Sequence, residues 1–415
     1  MITTLDEALE VLRSYIPKPG LMHHNYKLER MGQLMDLLDN PQNAYKVVHV
    51  AGTSGKTSTS YFIRGLLQTA GQKTGLTVSP HIQSITERIQ INGDPISDEK
   101  FIAYLNQLLE KISHSDIHPT YFELLMALAY MVFRDEKVDY AVIETGLGGL
   151  LDATNVITRS DKLCVITDIG LDHTEVLGQT VQEIALQKSG IVQPGNTLVL
   201  QHQDALVEQV IINEAKVRGS GDVLLVPSVA HSDHLPVFQR RNWAAAAAAY
   251  DVIAMRDGLP AMQQLDTHEA MLHQPPGRME LFQVHGKTVI LDGAHNPQKL
   301  HALVESLQEK NYSSLSVLVS FVSSKHDLLD DSLRELRPIV DDIVVTDFTV
   351  MRDVGKSASL SGDIVAAAHR VGYSSVTEIS DPRVALGHLL ASSAPVVLVT
   401  GSLYLVAQIR DVLLD

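Results

Sequence analysis

Four apolar runs in the first two-thirds of the chain constrain its fold most: KVVHVAG, VDYAVIETG, KLCVITDIG and NTLVLQ. They are rich in β-branched residues and show little polar alternation. A strand with one face in water alternates, whereas a strand covered on both faces does not. Helical patterns separate the runs, which implies a parallel sheet with helices on both sides. RNWAAAAAAYDVIAM reads as a closely packed helix. LHQPPGRMEL breaks the pattern with two prolines and a glycine, as a linker does. After it, KTVILDGAHNP, LSVLVSFV, DDIVVTDF, SSVTEIS and APVVLVTGSLYLV restart the alternation. The expected fold is α/β. A doubly wound parallel-sheet domain over residues 1–274, with a helical lead-in, precedes a smaller Rossmann-like α/β domain over 275–415. The length of 415 residues suits two cores better than one.

The net charge of −16 argues against broad binding to nucleic acid or to an anionic membrane. It leaves room for a small anionic substrate at a locally basic site. The single cysteine, Cys164, lies inside an apolar run, so it reads as a buried thiol and allows no internal disulfide. The N-terminal stretch MITTLDEALEVLRSYIPKPG has an acidic amphipathic helix pattern rather than that of a signal peptide. No apolar run approaches bilayer length. We expect a cytoplasmic monomer with no membrane or nucleic-acid partner.

The first run continues into KVVHVAGTSGKTSTSYFIRGLL. Gly52, Gly55 and Lys56 follow the strand, and Thr57, Ser58 and Thr59 open a helix. A glycine turn at a helix N-terminus attracts phosphate through its N–H groups and the helix dipole. Lys56 can lie across the phosphate oxygens, and a hydroxyl after it can hold Mg²⁺. The usual loop places a glycine where Val50 stands, so this loop is shortened. An ordinary strand-to-helix turn is the bland alternative.

Other candidates sit at strand ends. Glu144 closes the run VDYAVIE, where parallel sheets place ligands and where a carboxylate suits a divalent cation; a helix cap is as good a reading of that residue alone. Asp172 and His173 follow the neighbouring run. Lys188 lies in a helix, where most lysines are solvated. Asp292 and His295 follow the first strand of the second half, and Asn296-Pro297 beside them favours a turn. Arg278, in the linker, suits bidentate anion contacts.

Together, HVAGTSGKTST, SPH, ERIQINGDPIS, TYFELLMALA, ETGLGGLLDATN, DIGLDHTEVLG, QKSGIVQPG, PGRME, LDGAHNP and TGSLYLVAQIR occur in the order found in one family. Over nearly its whole length the chain resembles the folylpolyglutamate synthase/dihydrofolate synthase family, a branch of the Mur ligase superfamily. That superfamily uses the shortened loop, activates a carboxylate with ATP and joins it to an amine.

The resemblance implies that Gly52, Thr53, Ser54, Gly55, Lys56, Thr57, Ser58 and Thr59 cradle ATP, with Asn242, Arg278 and Asp292 as further ATP contacts. It implies that Ser58, Ser79, Glu144 and His173 bind Mg²⁺. Lys188 matches a lysine that relatives carry carbamylated, and His295 lies beside the γ-phosphate. Lys56, Glu144, His173, Lys188 and His295 are thus the implied catalytic set. Thr120, Tyr121, Phe122 and Glu123, with Leu151, Asp152 and Ala153, match segments lining the pocket for a folate or pteroate. L-glutamate is the implied amine, and domain closure would protect an acyl phosphate from water.

The chain departs from the family at four places. Ser54 replaces asparagine, Thr57 replaces glycine, Leu150 replaces arginine and Phe238 replaces histidine. A Mur-type ligase acting on another acid, such as a cell-wall precursor, is the alternative. TYFE, LDATN and LDGAHNP favour the folate branch, and no extra N-terminal domain of the wall-ligase kind is expected. A kinase and a catalytically silent nucleotide-binding module are the remaining alternatives.

Overall fold

The structure is a computed structural model that describes residues 1–17, 28–227, 235–312, 314–349 and 358–414. Two units divide the chain. The first holds Met1–Ser232 and Gln239–Gln274, and the second holds Asp233–Phe238 and Pro275–Asp415.

The first unit is built on an eight-stranded sheet. Its strands are β1 (Lys46–Ala51), β2 (Thr74–Thr77), β3 (Gln90–Ile91), β4 (Asp94–Pro95), β5 (Tyr140–Glu144), β6 (Leu163–Ile166), β7 (Thr197–Gln201) and β8 (Val223–Val226). The order is β4-β3-β2-β5-β1-β6-β7-β8. From β2 to β8 the neighbours pair in parallel. β3 and β4 add an antiparallel edge. The four runs read from the sequence are β1, β5, β6 and β7, which lie next to one another apart from the order of the first two. Their residues are almost wholly buried, as non-alternating runs require.

Several strands carry no such run. β2 has only four residues and includes a glycine. β3 and β4 form a hairpin turned by Asn92 and Gly93, both at positive φ. Asparagine-glycine is the pair such a tight turn favours. In β8, Leu224 and Leu225 are exposed at the sheet edge.

One face of this sheet packs against the helix Tyr121–Asp135 and the two N-terminal helices Leu5–Arg13 and Leu28–Leu37. The opposite side includes a cluster in which Cys164 and Ile166 of β6 meet Ile184, Val207 and Ile211. Cys164 is buried, and desolvation pushes its thiol up to about 11, so it stays an inert core residue.

The second unit has a six-stranded sheet in the order β13-β12-β11-β14-β10-β9. β9 is Glu280–Val284, β10 Lys287–Leu291, β11 Leu315–Val319, β12 Val340–Val345, β13 Ser375–Glu378 and β14 Val396–Thr400. β10 to β14 are the five runs read from the sequence, and they pair in parallel. β9 is an antiparallel edge strand joined to β10 through His285 and Gly286, both at positive φ. Alternate residues feed opposite cores. Ile290, Val317, Val319 and Leu398 face one cluster, and Val289, Leu291, Leu318 and Val399 face the other.

Candidate active site

β1 lies between β5 and β6 and delivers the glycine loop to the carboxyl edge of the first sheet. Two glycines make the loop possible. Gly52 has φ +153, and a Cβ there would lie 1.9 Å from Thr167 Oγ1. Gly55 has φ +89, and a Cβ there would lie 2.2 Å from Asn242 Oδ1. Gly55 caps the helix Lys56–Thr69 with no side-chain hydrogen bond, which leaves the helix N-terminus to a backbone cradle. The loop is clamped from behind. Thr53 N and Ser54 N donate to Asp168 O, and Thr167 Oγ1 donates to Ser54 O at 2.7 Å.

Lys56 Nζ donates to Gly52 O at 2.9 Å. Lys188, from the helix Val181–Ser189, donates its own Nζ to the same oxygen at 2.9 Å. The capping box of Thr180 and Glu183 sets the start of that helix, which ends with Lys188 buried.

Glu144 ends β5 almost fully buried. Thr57 Oγ1 donates to its Oε1 at 2.8 Å, and Ser79 N lies 3.4 Å from its Oε2. Ser58 is buried one position further along the helix. His173 stands at the start of the short helix Thr174–Leu177 with φ +50, and its half-exposed ring reaches Glu175 Oε1 at 3.5 Å. Among the described residues no group of three or more histidine, cysteine or acidic side chains could hold a metal. A carboxylate with hydroxyl oxygens is instead a hard-oxygen donor set of the kind Mg²⁺ accepts when phosphates complete its shell.

The segment Thr120–Glu123 begins the helix Tyr121–Asp135. Thr120 and Glu123 form its capping box, and Arg30 grips Glu123 with contacts of 2.8 and 3.0 Å. Phe122 lies against Gly146, where a Cβ would come 2.4 Å from Phe122 Cζ. Arg88 sits over the Tyr121 ring at 5.8 Å. In the loop after β5, Leu151 is exposed while Asp152 and Ala153 are buried. Burial raises the Asp152 carboxyl above its usual range, against hydrogen bonds from Leu147, Thr154 and Gly146. Leu150 donates its N–H to Gln187 O at 2.7 Å, which ties this loop to the helix carrying Lys188.

Asn242 lies on the helix Val237–Asp257 and donates to Gln239 Oε1 at 3.0 Å. Next to it, Arg241 pairs with Asp168 at 3.2 Å, and Trp243 meets Phe62 edge-on. This helix therefore docks on the loop it helps to shape. Phe238 packs on the core of the second unit.

In the second unit, Asp292 follows β10. Its carboxylate accepts from Met279 N at 2.9 Å and Ala294 N at 2.8 Å. Burial raises its pKa, and the charges of Arg278 and Lys299 pull the other way. Arg278 Nη1 donates to Gly277 O at 3.0 Å. His295 Nδ1 lies 2.9 Å from Gly293 O, and its Nε2 lies 3.2 Å from Lys299 Nζ. Asn296 caps the helix Pro297–Glu309, with Pro297 in its first turn. Where the sequence suggested a turn at Asn296-Pro297, the structure has a helix start, with Asn296 Oδ1 accepting from Lys299 N at 2.9 Å.

Residues 50–233 match the Mur ligase middle domain, and residues 277–403 match the Mur ligase glutamate ligase domain. The dihydrofolate synthase/folylpolyglutamate synthase of Bacillus subtilis (strain 168) is 33% identical over 425 residues, covering 95% of this chain and 94% of the relative. The chain belongs to the folylpolyglutamate synthase/dihydrofolate synthase family of Mur ligases. Solved structures agree. Escherichia coli FolC in complex with DHPP and ADP has a TM-score of 0.84 at 25% identity, covering 99% of this chain and 97% of that one. A bifunctional folylpolyglutamate synthase/dihydrofolate synthase with Mn, AMPPNP and L-glutamate bound has a TM-score of 0.81 at 26% identity, covering 100% of this chain and 98% of that one. As a family member the chain is an ATP-dependent acid–amino-acid ligase of folate metabolism.

For this family member, the structure gathers Lys56, Lys188 and Gly52 at one point, and Thr57, Ser79 and Glu144 at another. It gathers Arg278, Asp292 and His295 in the second unit. Thr57 was expected in the phosphate cradle, but not as the partner of Glu144. Three further contributors were not expected from sequence. Arg30, Arg241 and Lys299 carry no local signal, although Lys299 follows His295 by one helical turn and that spacing could have drawn notice.

Proposed function

We propose that the protein joins L-glutamate to a folate-type carboxylate, acting on both dihydropteroate and tetrahydrofolate, as a cytoplasmic monomer. The observation that carries this reading is the convergence of Lys56 and Lys188 on Gly52 O, beside a buried Glu144 held by Thr57. It joins a phosphate cradle to a hard-oxygen acid at the carboxyl edge of one sheet.

Gly52–Thr59 hold the phosphates of ATP through backbone N–H groups, and Lys56 exchanges its loop carbonyls for phosphate oxygens. Asn242 contacts the nucleotide. Glu144, Ser58, Ser79 and His173 would hold Mg²⁺, which when bound neutralises phosphate charge. The acceptor carboxylate attacks the γ-phosphorus of ATP, ADP leaves, and an acyl phosphate forms. Lys56 stabilises the charge that develops on the transferred group. The glutamate amine then attacks the acyl carbon, an amide forms and phosphate leaves. Lys188 carries a carbamate, which keeps one N–H for Gly52 O while turning a cation into an anion. Thr120–Glu123 and Leu151–Ala153 line the acceptor pocket.

The test is ATP-dependent phosphate release with Mg²⁺, with and without glutamate, using dihydropteroate or tetrahydrofolate and mass detection of the product. A gain of one glutamyl unit on each acid is expected. Glutamate-dependent turnover with neither acid would move the acceptor to another carboxylate, and Leu150 would be the first position to examine.

A further inference from the structure

His49 lies on β1 just before the phosphate loop and is fully buried. Its Nε2 is 2.8 Å from Thr154 Oγ1 and 3.1 Å from Thr145 Oγ1. These threonines bracket the loop that follows Glu144. Thr154 Oγ1 in turn donates to Asp152 Oδ1 at 2.6 Å. The same carboxylate accepts Thr154 N at 2.9 Å and, on Oδ2, Leu147 N at 2.7 Å.

The proton positions follow from counting donors. The Thr154 hydroxyl has one hydrogen, and the carboxylate takes it. Thr154 Oγ1 can then only accept from the imidazole, so Nε2 carries the proton. His49 Nδ1 agrees, because it is buried with no hydrogen-bond partner among the described residues. A lone pair left without a donor there costs less than an N–H left without an acceptor. Burial and the charge of Lys162 also hold the ring neutral.

We propose that His49 is a positioning residue for the acid-acceptor pocket. Through its Nε2–H and Thr154 it holds Asp152 and the loop 146–153 in the form that receives the pteridine acid. One imidazole thereby couples the strand that feeds the phosphate loop to the loop that meets the acceptor. This inference rests on the reading of Leu151–Ala153 as acceptor contacts.

The experiment compares the wild type with His49→Leu, His49→Gln and Leu151→Asp in the full chain. Steady-state KM is measured for dihydropteroate and, separately, for ATP. Glutamine presents an N–H near the Nε2 position, and leucine presents none. The expected result for His49→Leu is a KM for dihydropteroate raised about tenfold or more, with KM for ATP within about twofold. His49→Gln should recover most of that loss. Selective ¹⁵N-histidine NMR of the wild type, assigned by difference from His49→Gln, should show the proton on Nε2. A proton on Nδ1, or an unchanged dihydropteroate KM in a folded His49→Leu, would overturn the proposal. The tautomer is read on the wild type, so the test survives a leucine variant that does not fold. Leu151→Asp tests the underlying reading by itself. If it leaves the dihydropteroate KM unchanged, the segment is not an acceptor contact and the proposal falls with it. If it raises that KM while His49→Leu does not, only the role of His49 fails.

Discussion

Lys56 and Lys188 donate to one carbonyl oxygen, that of Gly52, each at 2.9 Å. The two lysines arrive from helices far apart in the chain and converge where the phosphate loop leaves its strand. Replacing Lys188 by methionine keeps the length of the side chain and removes the polar head. We expect glutamate-dependent phosphate release to fall by about 100-fold, the size of effect that follows loss of one placed electrostatic group. Circular dichroism should show an unchanged fold. A ¹³C carbamate signal after equilibration with labelled bicarbonate should be present in the wild type and lost in the variant.

Thr57 stands where the family usually has glycine, and its hydroxyl donates to the buried Glu144 at 2.8 Å. A hydrogen bond to a charged group contributes about 1.5–3 kcal/mol. Thr57→Val should therefore raise the Mg²⁺ concentration for half-maximal activity by about tenfold or more, while Thr57→Ser should stay near the wild type. A Mg²⁺ titration at saturating ATP reads the difference, and equal curves for both variants would remove Thr57 from the metal side of the site.

Gly55 cannot carry a side chain without strain, because φ is +89 and a Cβ would lie only 2.2 Å from Asn242 Oδ1. Gly55→Ala should cost about 1–3 kcal/mol of stability. The displaced loop should also weaken ADP binding. Chemical denaturation and calorimetric titration with ADP measure the two effects separately.

His49 should make folding stability depend on pH. Its folded pKa lies well below the ordinary 6.5 because burial disfavours the charged ring. Below pH 6.5 the unfolded chain binds a proton that the folded protein refuses. Stability is therefore full above that pH and falls as pH drops toward the folded pKa, by up to about 1.4 kcal/mol per pH unit. In His49→Gln this contribution should vanish. Urea denaturation of both proteins between pH 7.5 and about 5 compares the slopes.

Much of the fold was legible because its strands are covered on both faces. β1, β5, β6 and β7, with β10, β11 and β14, are largely apolar runs, and burial demands that composition. Apart from the four-residue interior strand β2, the strands that escaped notice lie at sheet edges. β3, β4 and β9 are short or half-covered, and tight turns at Asn92-Gly93 and His285-Gly286 define them better than any run of side chains. The glycine loop was legible for a local reason, since Gly52, Gly55 and Lys56 act through backbone geometry written within a few residues.

The partners within the site were another matter. Glu144 could be placed at a strand end from sequence, but not the fact that Thr57 holds it across 87 positions. Periodicity alone would not single out Lys188, and only its match to the family marked it; its bond to Gly52, 136 positions away, is tertiary. His49 looked like one more residue of an apolar strand. The sequence by itself determined which segments are strands, which turn can cradle phosphate and, through ordered motifs, which family the chain joins. The tertiary structure alone decided which side chains share a hydrogen bond. Strand order sets those long-range distances, and no local periodicity carries strand order.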